Sequence, residues 1–280
     1  MTASFDAAPW GTHLPSGYER AVLALTRAMP ENWLGLRLAI LFRSLIMGRI
    51  GEGCRDTTLW GMRLRLYPRR NGCEKNALFT PQMFDTMERR VLAEAVRAKR
   101  GAFTFVDIGA NVGLYSLYLA SCGDVRTLAI EPQPGILERL RFHLAANPAA
   151  KVEVRAVALS DRAGEVTLVL NDSDSGGTHI EKHDGRHDAG ERIGVPSKPL
   201  LGVLSESGIT AIDALKIDVE GAEDIVLAPF LREAPQPLLP SLILIEDTRG
   251  FWGFDLFALL RSRGYTEAER SRQNVAMRLD

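Results

Sequence analysis

Residues 103–116, FTFVDIGANVGLYS, constrain the fold more than any other stretch of the chain. An apolar, β-prone run (Phe103, Phe105, Val106, Ile108) enters a turn punctuated by Gly109 and Gly113, and a helical pattern begins at Leu114. A strand, a tight turn and a helix start in that order form the first βα turn of an open α/β sheet. Nucleotide-like ligands sit there, and glycines let them approach the backbone.

The strand carries Asp107, two positions before Gly109. A carboxylate at that point opposes a pyrophosphate by on the order of a few kcal/mol in a poorly hydrated cleft. The dinucleotide spacing G-x-G-x-x-G also fails, with Asn111 at the second glycine and Leu114 at the third. S-adenosylmethionine carries an ammonium and a sulfonium and no phosphate, so an acid at the strand end can accept from its ammonium. Capping of the following helix is the plainer use of the same side chain. Glu131 follows 22 positions after Gly109 and closes the apolar run Leu128, Ala129, Ile130. It is placed to hold two ribose hydroxyls, or else is a solvated acid before a proline turn. Together Asp107 and Glu131 favour the methyl donor over NAD.

A chain of 280 residues holds one large α/β domain plus an extension. With a net charge of -1 there is no electrostatic case for nucleic-acid binding. Cys54, Cys73 and Cys122 are too scattered for a disulfide framework or a C-x-x-C metal site, and the amino terminus does not read as a secretory signal. A cytoplasmic protein is expected.

Residues 1–75 read as a helical extension with a short β-hairpin, and residues 76–280 as the catalytic domain. Residues 18–29 and 33–50 form two helical runs parted at Pro30. The second is the most apolar stretch of the chain, but Arg37, Arg43 and Arg49 argue against a transmembrane span. It packs on the domain, or it lies at a membrane or partner interface. Residues 59–67 alternate like a half-exposed strand, Asn71-Gly72 is a hairpin dipeptide, and a helix is expected from 84 to 100.

Strands at 125–130 and 152–159 then alternate with helices at 114–121 and 136–146, which predicts a parallel sheet with helices on both faces. Residues 165–170 follow closely enough to form an antiparallel hairpin with the preceding strand. The glycine-rich, polar stretch 171–198 reads as a lid or binding loop. It holds His179, His183 and His187 at four-residue spacing, but Gly185 and Gly190 oppose a continuous helix and with it a histidine metal site. A substrate loop with one catalytic histidine fits better.

Residues 211–219 form a buried strand, at whose carboxyl end Lys216, Asp218, Glu220 and Glu223 converge. Open α/β sheets keep their crevice there. The helix dipole explains Glu223 well and Asp218 poorly. Glu246-Asp247 ends the next strand, 241–245; Asp218, Glu220, Glu246 and Asp247 lack a recognised metal-ligand spacing, and no metal is expected. Strands at 265–269 and 274–279 close the chain as an antiparallel pair.

In order along the chain, FVDIGANVGLYS, AIEPQP, ALSD (158–161), SGGTHI (175–180), LKIDVEGAE (215–223) and LILIE (242–246) resemble the motifs of FkbM-type S-adenosylmethionine-dependent methyltransferases. ALFTPQMFD (77–85) is similar to the segment ahead of them, and VPSKPLLGVL stands where the family often has a Thr-Leu-Asp stretch. The resemblance covers roughly residues 76–246. It implies an α/β, Rossmann-like class I fold: a mostly parallel seven-stranded sheet, helices on both faces and a terminal β-hairpin. It implies S-adenosylmethionine held by Asp107, Gly109, Asn111, Gly113, Glu131, Ser160, Asp161 and Asp218. It further implies methyl transfer to a small-molecule acceptor, a hydroxyl of a sugar, glycolipid or secondary metabolite. N-methylation of an amine, or cofactor binding without catalysis, is the alternative. Imidazole has a suitable pKa for a general base, so His179 is assigned that role, with Asp218 the alternative base, Glu220 an orienting carboxylate and Lys216 part of the same charged group.

Overall fold

The structure, a computed structural model, describes residues 5–171, 177–181 and 190–279. Two helices lead the chain, α1 (Gly17–Arg27) and α2 (Trp33–Ile50). Ser16 and Glu19 close a reciprocal capping box on α1, and Asn32 caps α2 by accepting from the Gly35 amide. Strands β1 (Arg55–Leu59) and β2 (Met62–Leu66) form an antiparallel hairpin, then come α3 (Gly72–Phe79) and α4 (Thr86–Ala98).

The hairpin turn is Trp60-Gly61, where both residues have positive φ (53° and 78°), so the run 59–67, expected as one strand, holds the end of β1, this turn and all of β2. Asn71-Gly72 is not a hairpin turn. Asn71 caps α3 by accepting from the Glu74 amide, a use of the same side-chain oxygen that a dipeptide rule does not separate from a turn. The division expected between residues 75 and 76 falls inside α3. Val22 and Leu23 of α1 and Ile46 and Ile50 of α2 share one buried cluster with Phe79, Leu92, Phe105 and Leu117. Arg65, fully buried, pairs with Asp56 and donates to the carbonyls of Asp6, Ala8 and Pro9, holding the amino-terminal segment on β2.

The body follows in order: β3 (Phe103–Ile108), α5 (Leu114–Cys122), β4 (Val125–Ile130), α6 (Pro134–Ala146), β5 (Lys151–Arg155), β6 (Ala158–Leu159), β7 (Gly164–Val169), β8 (His179–Ile180) and β9 (Arg192–Lys198). It continues with α7 (Leu200–Glu206), β10 (Ala214–Ile217), α8 (Glu223–Glu233), β11 (Leu242–Glu246), α9 (Leu256–Ser262), β12 (Tyr265–Arg270) and β13 (Asn274–Leu279). Seven strands form the main sheet in the order β12-β13-β11-β10-β3-β4-β5. The last five of that order run parallel, and β13 is antiparallel to β11 and β12.

Period-2 alternation assigns each strand's side chains to the two faces. Phe103 and Phe105 of β3 join the cluster under α4 and α5, while Val106 and Ile108 join the opposite cluster with Leu215, Ile217, Val226 and Leu256. Three expectations fail around the second sheet, whose order is β6-β9-β7-β8. The run 152–159 divides, its last part entering this sheet as β6. β7 pairs antiparallel with β8 and β9 rather than with β5. Residues 192–198 are a strand and not a loop, because Val195 packs with Ala158 and Leu168 in a small core of its own. α7 was not anticipated, and α8 begins at Glu223 rather than Glu220.

Candidate functional site

A cavity of about 430 Å³ opens at the carboxyl ends of β3, β4, β10 and β11. Gly109, the first residue past β3, has φ +73°, and a Cβ there would lie 1.9 Å from the Asp218 carbonyl oxygen. Gly113 caps α5 at φ +83°, and its Cβ would lie 2.5 Å from Leu140 Cδ1. The backbone contact requires glycine at 109, and the left-handed φ favours it at 113. Gly109 lines the cavity; Gly113 does not.

Asn111, at φ +50°, knots the turn together. Its N–H donates to Glu131 Oε2 (2.9 Å), and its Oδ1 accepts from the Val112 amide (2.9 Å) and from Asn71 Nδ2 (3.0 Å). Glu131 Oε1 accepts from the Gln133 amide (2.9 Å). Burial pushes the Glu131 carboxyl up to about 7, against the pull of those two amides. Each of its oxygens keeps a further lone pair for a hydroxyl donor.

Asp107 is not among the residues that line the cavity; it is buried, and its Oδ1 has no hydrogen-bond partner among the described residues. Alternation puts it on the same face as Phe103 and Phe105, under α5. There its Oδ2 accepts from Ser116 Oγ at 2.6 Å, and it stands in register with Lys216 of β10. Burial raises its pKa against the opposing pull of the Lys216 ammonium. Ser160 and Asp161 also miss the wall. Ser160 Oγ donates to Asp161 (3.1 Å), and the lining on that side is Val157, Ala158 and Leu159, with Ile130 and Leu168.

The charged group at the end of β10 does converge. Lys216 Nζ and Asp218 Oδ2 are 2.9 Å apart, and both line the cavity. Burial works against the ammonium, but Asp218 and Asp107 outweigh it and hold the pKa above the usual lysine value. Carboxylate oxygens of Asp218, Glu220 and Glu246 lie within 4.8 Å of one another. Burial, then Asp218, Glu220 and Glu223, push the Glu246 carboxyl up to about 9. Asp247 points elsewhere, paired with Arg249 (2.7 Å) and Arg270. Glu223 is structural: fully buried, it accepts from the amides of Val219 (3.0 Å) and Gly221 (3.2 Å) and from Trp252 Nε1 (2.8 Å).

His179, on β8, lines the cavity with Gly177 and Thr178; His183 and His187 lie outside the described residues. Residue-level reading missed Asp85. It takes φ +42° and accepts from the Tyr115 hydroxyl at 2.7 Å, and burial raises its pKa. Only the likeness of ALFTPQMFD to a family segment pointed toward it. Among the described residues the non-glycine positions with positive φ are Trp60, Asp85, Asn111 and Glu220, and the last three line this cavity. Such strain gathers at sites that fix side chains in place.

Five acids (Asp85, Glu131, Asp218, Glu220, Glu246) thus face the cavity against one lysine, beside an apolar wall. That composition fits an adenosine with cationic groups and no phosphate. The sheet order and this cavity define a class I S-adenosylmethionine-dependent methyltransferase. The chain belongs to the FkbM methyltransferase family: residues 107–267 match the methyltransferase FkbM domain. It is 30% identical over 207 residues to methyltransferase sdnD of Sordaria araneosa, covering 56% of this chain and 80% of that protein. It is 30% identical over 208 residues to the 31-O-demethyl-FK506 methyltransferase FkbM of Streptomyces tacrolimicus, covering 64% and 78%. Among solved structures, the human methyltransferase 10 domain containing protein is similar at 14% identity with a TM-score of 0.45, covering 92% of this chain and 94% of that one.

Proposed function

We propose that this methyltransferase acts on a hydroxyl of a small-molecule acceptor, a sugar, glycolipid or secondary metabolite. The observation that carries the reading is the meeting of His179 with the Lys216–Asp218 pair and Glu220 in the wall of one cavity. An O-methylating relative, the FK506 methyltransferase, supports the choice of acceptor class.

S-adenosylmethionine, when bound, supplies an electrophilic methyl group, so the protein has to align the acceptor oxygen and exclude water. Glu131 is assigned the ribose hydroxyls, the Val157–Ala158–Leu159 wall the adenine, and Asp218 the ammonium. His179 would take the proton that the acceptor hydroxyl gives up. Asp218 is the weaker candidate for that step, because its Oδ2 is already engaged by the Lys216 ammonium at 2.9 Å. Glu220 orients the acceptor.

Incubating a metabolite extract with the protein and a deuterium-labelled methyl donor tests the reading. The expected product is a labelled methyl ether. A labelled N-methyl product would reassign the acceptor, and donor binding with no labelled product in any extract would favour a binding protein. Replacement of His179 by Ala is expected to lower kcat by about 10² to 10⁴-fold while leaving donor affinity intact; unchanged turnover removes His179 from the proton-transfer role.

A further inference from the structure

α2 is apolar around most of its circumference, yet only one side of it is covered. Gly35, Ala39, Ile46 and Ile50 are buried against the body, whereas Trp33, Leu34, Leu36, Ile40, Leu41 and Leu45 are 42% to 68% exposed. Leu34, Leu41 and Leu45 stand seven and eleven positions apart and share one side of the helix. A helix of 18 residues rises about 27 Å, so the bare face is long. Contiguous exposed apolar surface marks a contact with something that is not water.

The charges say what that contact is. None of the 18 residues of α2 is acidic, and three are arginines, Arg37, Arg43 and Arg49. The Arg37 guanidinium lies 4.8 Å from the Trp33 ring centroid, and that of Arg49 lies 4.5 Å from the ring of Tyr18, which is 48% exposed. Each end of the bare face thus holds an aromatic ring with a cation over it, the pairing found at the boundary between lipid and water. No described helix is long and apolar enough to cross a membrane.

We propose that the exposed face of α2 seats the protein on an anionic phospholipid surface, its leucines in the acyl boundary and Arg37 and Arg49 among the lipid phosphates. A second copy of the chain fits the face less well. Two such helices brought together set arginine against arginine, with no acid on either helix to answer them. The chain as a whole has a net charge of -1, so its overall charge supplies no attraction to an anionic vesicle. Attraction has to come from this local patch.

The full-length protein is sedimented with vesicles of pure phosphatidylcholine and with vesicles in which about one lipid in four is phosphatidylglycerol. The expected partition coefficient is roughly tenfold or more higher for the anionic vesicles and falls with added salt. The triple variant Leu34→Gln/Leu41→Gln/Leu45→Gln abolishes binding. Arg37→Gln/Arg49→Gln reduces binding to the level of neutral vesicles, and it keeps the test decisive if the triple variant folds poorly. Calorimetry with S-adenosylmethionine shows that each variant keeps its cofactor site. Wild-type protein that stays in the supernatant, binding indifferent to lipid charge, or binding by a folded triple variant overturns the proposal. So does a dimer in light scattering that the triple variant dissolves while wild type ignores vesicles.

Discussion

The side-chain amide of Asn71 donates to Oδ1 of Asn111 across 3.0 Å, so the segment ahead of the sheet is bonded to the turn that lines the cavity. Asn71 also caps α3 through the Glu74 amide. The two roles separate by substitution. Asn71→Asp keeps the capping oxygen but faces Asn111 Oδ1 with an acceptor where a donor stood. The buried acceptor-on-acceptor contact is expected to lower stability by about 1 to 3 kcal/mol, and the Kd for S-adenosylmethionine to rise several-fold. Asn71→Ala loses the cap as well and lowers unfolding stability by about 1 kcal/mol. Calorimetry and urea unfolding measure both; an Asn71→Asp protein that binds the donor like wild type breaks the link between the segment and the site.

Gly109→Ala is expected to be among the most damaging single methyl additions in the chain. The new Cβ would meet the Asp218 carbonyl at 1.9 Å while the backbone sits at φ +73°. Relief requires the β3 and β10 ends to part, at a cost of several kcal/mol. Gly61→Ala is the control: φ is +78° there too, but nothing lies within 4 Å of the added carbon, so its cost is limited to about 1 kcal/mol of backbone strain. Thermal melts of the two proteins side by side decide whether contact or φ dominates.

Glu131 should leave a pH signature. Its folded pKa, about 7, lies above the ordinary glutamate value of 4.5, so between those values the folded state holds more protons than the unfolded chain. Stability therefore falls as pH rises through that window, by on the order of 3 kcal/mol at most. Glu131→Gln flattens the profile in the same interval. Because the ionised carboxylate is the better acceptor for two hydroxyls, donor affinity in wild type is expected to rise toward pH 7 and above, and in the variant to stay level. Wild-type and Glu131→Gln melts that run parallel from pH 5 to 8 contradict this account.

Much of this is legible in the sequence. Strands such as Val125–Ile130 and Asn274–Leu279 are buried and announce themselves as apolar runs, and Trp33–Ile50 is helical at the limits its composition implies. The face on which Asp107 lies was also legible, since Phe103 and Phe105 alternate with it, but a motif reading directs attention to residue type and not to parity. Arg192–Lys198 was hidden because only Val195 and Ser197 are buried in it and its core is a satellite one. Asp85 was hidden because its position depends on a left-handed backbone at a non-glycine residue, which no local pattern encodes.

The placement of Asp107 yields the sharpest test of the site's electrostatics. If it serves as a buried counter-charge to Lys216, then Lys216→Gln removes the cation and strands two carboxylates, lowering stability by about 3 kcal/mol at neutral pH. Asp107 is buried with a pKa already raised, so it takes up a proton as pH falls in that variant, and the deficit shrinks under acid conditions. The double variant Lys216→Gln/Asp107→Asn recovers part of the loss, giving a coupling energy in a double-mutant cycle. Asp107→Asn alone is expected to destabilise the fold while changing donor affinity only modestly, because the carboxylate touches Ser116 and not the cavity. A variant that keeps its stability and loses donor binding altogether would return Asp107 to the cavity wall.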